Sequence, residues 1–78
     1  MISSKALFDN LTSQLSAYYP RLEAQSIVYL LLHHYCKATR TDILLNKNLD
    51  DHTNWPSIMG RLQQHEPVQY VIGEADFY

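Results

Sequence analysis

Three prolines, Pro20, Pro56 and Pro67, divide a 78-residue chain whose apolar residues otherwise recur at intervals of three and four. Such intervals align side chains along one face of an α-helix. A proline ring fixes φ and supplies no backbone N–H, so each proline closes one helical segment or opens the next. The chain therefore reads as all-α: a small orthogonal bundle of four main helices plus a short fifth, ending in the start of an extended linker. Residues 1–66 form the helical domain, and residues 67–78 supply the short helix and the linker.

The first segment places Leu7, Phe8, Leu11, Leu15 and Tyr18 on one side, with Lys5, Asp9, Ser13 and Ser16 opposite and Ser3 or Ser4 as N-cap. The second, over 21–37, buries Ala24, Ile27, Val28, Leu31 and Tyr35, and Leu30 and Leu32 widen its stripe enough to make it the central helix. Thr41 is expected to cap a third helix over 42–47, anchored by Ile43, Leu44 and Leu45. A polar loop follows over 46–54, with Leu49 turned inward. Thr53 or Asn54 caps a fourth helix that has Pro56 in its first turn and buries Ile58, Met59 and Leu62. Gly60 inside that helix predicts close helix packing, because a mid-helix glycine otherwise costs about 1 kcal/mol relative to alanine. A fifth helix over 68–72 is closed by Gly73 in a left-handed cap, after which 74–78 is extended. Phe77 and Tyr78, two large aromatics with nothing local to pack on, lead us to expect a longer parent protein.

Composition narrows the function classes. An apolar fraction of 46% with only two glycines supports a folded core, although a chain this short buries only about 60% of its unfolded surface. The lone Cys36 excludes an internal disulfide and fits a reducing compartment. The first residues, Met1-Ile2-Ser3-Ser4-Lys5, lack the basic-then-apolar pattern of a signal peptide. The longest strongly apolar run, six residues over 27–32, falls far short of the ~20 needed to span a bilayer. The expected location is the cytoplasm, with no membrane partner. The net charge is −2, and Lys5, Arg21, Lys37, Arg40, Lys47 and Arg61 are scattered singly. Direct nucleic-acid binding, which needs a basic stripe, is not expected.

Metal and nucleophile chemistry also lack the residues they require. His33 and Cys36 share a helix, but His52 and His65 bring no partner pair, so four zinc ligands are not assembled. Asn46, Asn48 and Asp50 have the spacing that opens a calcium loop, yet Asp51 stands where glycine is required and Ser57 where glutamate is. Cys36 in a helix interior has no base and orienting group for nucleophilic catalysis.

The stretch Glu66-Pro67-Val68-Gln69-Tyr70-Val71-Ile72-Gly73-Glu74-Ala75-Asp76-Phe77-Tyr78 resembles the Glu-Pro-x-x-Tyr-x-x-Gly-x-x-x-Phe segment of the HemK family. Asp76 departs from the family's usual glutamate. Pro20-Arg21-Leu22-Glu23-Ala24 is similar to the opening of that family's second helix, and Arg40-Thr41 followed by Ile43-Leu44 to the turn after it. The resemblance spans nearly all of the chain, apart from the 46–55 loop. It implies the N-terminal helical domain of an enzyme that methylates a glutamine side-chain amide in peptide chain release factors. In that family Pro67, Tyr70, Gly73, Phe77 and Tyr78 would belong to the linker joining this domain to a catalytic domain that binds S-adenosylmethionine. The family's glycine-rich methyl-donor turn and its catalytic Asn-Pro-Pro-Tyr motif do not occur here. No catalytic, cofactor-binding or metal residue is therefore carried over, and the implied role is recognition of the release factor.

Arg21, Tyr29, Arg40 and Arg61 are the candidates for partner contact. Tyr18, Tyr35 and Tyr70 fall on apolar faces and are expected in the core, whereas Tyr29 lies outside the main stripe. A free-standing helical interaction module and a helix-turn-helix nucleic-acid binder stay open as alternatives at this level.

Overall fold

A computed structural model describes residues 2–50 and 53–76, with side chains as far as Ile72. The order of elements is β1 (Ile2–Ser3), α1 (Ser4–Leu15), α2 (Arg21–Cys36), α3 (Arg40–Leu44), β2 (Asn48–Leu49), α4 (Trp55–Gln63) and α5 (Val68–Asp76). The domain is all-α apart from one antiparallel pair of two-residue strands, in which Ile2 faces Leu49 and Ser3 faces Asn48. The expected polar loop is thus partly ordered by pairing with the start of the chain.

Helix α1 is the hub. It packs against α2, α3 and α4, while α2 packs against α1 and α5. Leu7, Leu11 and Leu15, at helical spacing, are buried against Ala24, Val28, Leu31 and Leu32 of α2, Ile43 of α3 and Met59 and Leu62 of α4. The central position expected for α2 therefore belongs to α1. The wide apolar stripe of α2 is only half used, since Leu32 is fully buried but Leu22 and Leu30 remain 79% and 49% exposed.

Local signals explain most helix ends. Ser3 Oγ accepts from the Ala6 N–H and caps α1. The Asn46 side-chain oxygen accepts from the Lys5 N–H at 3.1 Å and from the Ser3 hydroxyl. The Ser4 N–H donates to the Lys47 carbonyl at 2.9 Å. Together these bonds satisfy donors that a helix start otherwise leaves open. Helix α2 ends on Lys37, in the left-handed region at φ 58°. Helix α3 begins two residues earlier than Thr41 predicts. Thr39 Oγ1 accepts from the Asp42 N–H, and the Asp42 carboxylate accepts from the Thr39 N–H, a reciprocal capping box that fixes the start at Arg40. The earlier start turns Ile43 inward and leaves Leu44 and Leu45 exposed, against expectation.

Helix α4 has Pro56 in its first turn and buries Trp55, Ile58, Met59 and Leu62. A Cβ placed on Gly60 would meet nothing within 4 Å, so this glycine marks no close helix approach. Helix α5 runs through Gly73 to Asp76 and does not end in a left-handed glycine cap. Residues 74–76 are consequently helical, not extended; Phe77 and Tyr78 lie outside the described residues. Val71 anchors α5 in the core at 2% exposure, with Val68 and Ile72 packed beside it.

The tyrosines divide differently from expectation. Helix α1 stops at Leu15, so Tyr18 leaves its helical register and is exposed, and Tyr19 turns inward instead. The Tyr19 hydroxyl donates to the Leu62 carbonyl at 2.7 Å, tying the α1–α2 junction to the end of α4. Tyr70 also faces outward, because the neighbouring Val71 takes the inward position on α5. Tyr35 does pack on the core, edge-on to Trp55 with ring centroids 5.7 Å apart.

Two features bear on stability. The Thr12 hydroxyl is buried with no hydrogen-bond partner among the described residues. Valine has the same shape and a similar helix propensity, so Thr12→Val should stabilise the fold by about 1 kcal/mol through relief of the desolvated hydroxyl; chemical denaturation reads the change. The hydrogen bond from the Thr39 N–H, with Lys47 alongside, holds the Asp42 carboxyl below its ordinary value of 3.8. The bidentate hydrogen bond from Arg61 lowers Glu66 in the same way. A carboxyl lowered on folding contributes stability that is complete above its unfolded value and is lost as pH falls through its folded one. Thermal midpoints measured from pH 6 down to pH 2 should therefore differ by a constant amount above about pH 4 and draw together for the wild type and Asp42→Asn only as pH falls further.

Candidate functional site

The exposed side of α2 and the start of α3 enclose a groove of about 430 Å3. Its walls are Ser26, Tyr29, Leu30 and His33 of α2 and Ala38, Thr39 and Arg40 from the following turn. The four α2 residues are spaced at i, i+3, i+4 and i+7, which puts them on one helical face. Thr39 and Arg40 reach the groove because the left-handed Lys37 turns the chain back and the capping box then opens α3 at Arg40.

Tyr29 is the floor of the site. Its ring packs on Phe8 of α1 at a centroid distance of 4.7 Å. On the groove side the Arg40 guanidinium carbon lies 4.5 Å from the ring centroid. A cation over an aromatic face contributes roughly 0.5–1 kcal/mol at an exposed site. The pair therefore holds both side chains in place. Leu30, about half exposed, supplies most of the aliphatic surface, while Ala38 is nearly buried, and the groove is lined mainly by carbon.

Along the chain the charge next to the groove is uneven, although Glu23 stands one turn before Ser26 on the same face of α2. Residues 24–41 contain two of the six basic residues, Lys37 and Arg40, with His33 and His34, and none of the eight acidic ones. The nearest following carboxylate, Asp42, is engaged by the Thr39 N–H at 3.0 Å and by Lys47 at 3.4 Å.

Of the four sequence candidates, Tyr29 and Arg40 meet in this groove. Arg21 is exposed in the first turn of α2; eight residues before Tyr29, it stands ~12 Å away along the axis. Arg61 lies near the end of α4, where it makes a bidentate ion pair with Glu66 at 2.8–3.2 Å. Ser26, Leu30, His33 and Thr39 were not singled out by sequence, although the i, i+3, i+4, i+7 spacing around Tyr29 was there to be read. On the tail, Pro67 is exposed and its carbonyl accepts from the Tyr70 and Val71 N–H groups, Tyr70 projects outward, and Gly73 is helical.

Among the described residues no group of three or more His, Cys, Asp or Glu is placed to hold a metal ion. No helix among them is long and apolar enough to cross a membrane.

Comparison with known proteins places the chain in a family. The family model of the PrmC N-terminal domain matches residues 6–73. Over 68 residues, 82% of this chain, the sequence is 25% identical to a release factor glutamine methyltransferase of Flavobacterium psychrophilum. The chain spans about a quarter, 24%, of that relative's length. No solved structure gives a significant match. With a match running from the first turn of α1 into α5, the chain belongs to the PrmC N-terminal domain family, the helical front end of the HemK-type methyltransferases.

Proposed function

We propose that this domain is the release-factor-recognition part of an S-adenosylmethionine-dependent protein-(glutamine-N5) methyltransferase, and that it takes no part in the chemical step. The observation that carries the reading is the family match over residues 6–73, beside a relative whose name specifies a release factor as its substrate. In the full enzyme, methyl donor and catalytic residues reside in a catalytic domain, and residues 1–66 hold the protein substrate. Residues 67–78 form the passage between them, beginning as α5 and continuing through Phe77 and Tyr78. The partners are thus a peptide chain release factor and the enzyme's own catalytic domain, with no direct nucleic-acid or membrane contact, in the cytoplasm.

The physical role is orientation. A glutamine amide is a weak nucleophile whose nitrogen must be held in line with the methyl group. Restricting a large protein substrate before the reacting groups meet removes part of the entropic barrier, and small misplacements cost up to about 100-fold in rate. A rigid helical platform suits that task better than a loop would. The exposed groove at Tyr29 and Arg40, which no residue of α5 lines, supports its use on a partner that is not covalently attached.

Deleting residues 1–65 from the full enzyme tests the assignment. Turnover on release factor should fall roughly 10- to 100-fold while affinity for the methyl donor, read by calorimetry, stays within about twofold. Equal loss of both would show that the domain merely stabilises its neighbour.

A further inference from the structure

We infer that the groove between α2 and α3 accepts an acidic segment of the release factor, with an aliphatic side chain seated on Leu30 and a carboxylate drawn to Arg40. This deepens the recognition role above and rests on it. Three observations select the occupant. The walls are mainly carbon, so the groove favours an apolar side chain over a phosphate or a sugar. Between Glu23, one turn before Ser26, and Asp42, whose oxygens are already engaged, the charged residues are Lys37 and Arg40, both basic. A basic partner would be repelled here and could be attracted elsewhere, so the charge pattern also orients the complex.

The third observation is preorganisation. Arg40 is held over the Tyr29 ring at 4.5 Å, and Tyr29 is held from behind by Phe8. The guanidinium therefore loses little freedom when a carboxylate arrives, which lowers the entropic cost of the contact. Asp42 does not compete for it, because the Thr39 N–H and Lys47 already occupy its oxygens. A nucleic acid is disfavoured by the same geometry, since one lining cation, Arg40, on a mainly carbon surface makes no phosphate-tracking stripe.

The test uses the 78-residue chain, labelled with nitrogen-15 and titrated with purified release factor. Amide shifts should cluster at Ser26, Tyr29, Leu30, His33 and Ala38 to Arg40. Affinity should fall with added sodium chloride, as expected for a charge-steered contact. Arg40→Glu should weaken binding at least ~10-fold and Leu30→Ala several-fold, while Arg40→Lys, which keeps the charge but loses the stacked guanidinium, falls between Arg40→Glu and the wild type. Both positions are exposed, and unchanged dispersion of the remaining amides verifies the fold of each variant. Shifts confined to another face, with Arg40→Glu binding like the wild type, would overturn the groove as the site and leave the recognition role standing. No shift at all would overturn both. Groove shifts that grow with the chain's own concentration, before release factor is added, would assign the surface to a second copy and overturn the proposed occupant.

Discussion

Helix α3 is five residues long, too short to be stable alone, since closing the first helical turn fixes several residues for one hydrogen bond. Its position is nevertheless what gives the molecule its groove, because α3 carries Arg40 to the Tyr29 ring. Three restraints hold it. The Thr39–Asp42 capping box fixes where the helix starts, and Ile43 inserts into the core beside α1. At the other end the Asn46 side chain and the Lys47 carbonyl accept from the first turn of α1. Asn46 can do this because it adopts the left-handed region at φ 54°, which asparagine tolerates better than most residues. The start of α1 and the end of α3 thus satisfy each other's open backbone groups. Bonds between residues forty or so positions apart add to the local caps, Ser3 on α1 and the Thr39–Asp42 box on α3.

The rest of the core is organised for a chain with little surface to bury. Leucine supplies most of the fully enclosed side chains, and larger rings are placed at the edges. Tyr19 illustrates why: its ring packs against the cluster while its hydroxyl reaches the Leu62 carbonyl, so the polar end is satisfied without solvent. Tyr35 and Trp55 meet edge-to-face in the same fashion, linking the end of α2 to the start of α4. These half-buried aromatics widen the effective core beyond what the interior alone provides. Thr12 is the point where the arrangement is imperfect.

How much of this was legible in the sequence follows from which forces are local. Helices α1, α2 and α4 were readable because proline placement and apolar spacing act within a few residues. Helix α3 was displaced by two residues because Thr39 and Thr41 are both competent caps. The choice was made by Asp42 standing three residues after Thr39, a reciprocal pattern that the sequence contains and that reading Thr41 overlooked. The β1–β2 pair and the Asn46 contacts join the start of the chain to residues beyond position 45, and no local pattern announces such a meeting. Tyr18 and Tyr70 face outward for two reasons: α1 ends at Leu15, so its periodicity no longer sets the direction of Tyr18, and within α5 the neighbouring Val71 takes the core position that Tyr70 does not. For the groove, Tyr29 and Arg40 were identified singly. Their meeting needed the left-handed turn at Lys37.

Arg40 and Arg61 show why a surface cation has meaning only in its setting. Both are arginines near helix ends in a domain of net charge −2. Arg61 reaches Glu66, five residues on, through parallel hydrogen bonds, and that pairing closes the turn after α4. Its charge is largely spent on holding the fold. Arg40 instead rests on a ring face, which fixes the direction of the guanidinium without supplying an opposite charge. In the proposed role, a cation restrained in this way would meet a carboxylate from outside, with the mainly carbon wall beside it excluding water. Fixed orientation, incomplete neutralisation and an adjoining apolar surface are together what a recognition contact requires. Here all three depend on a short helix that two distant segments hold in place.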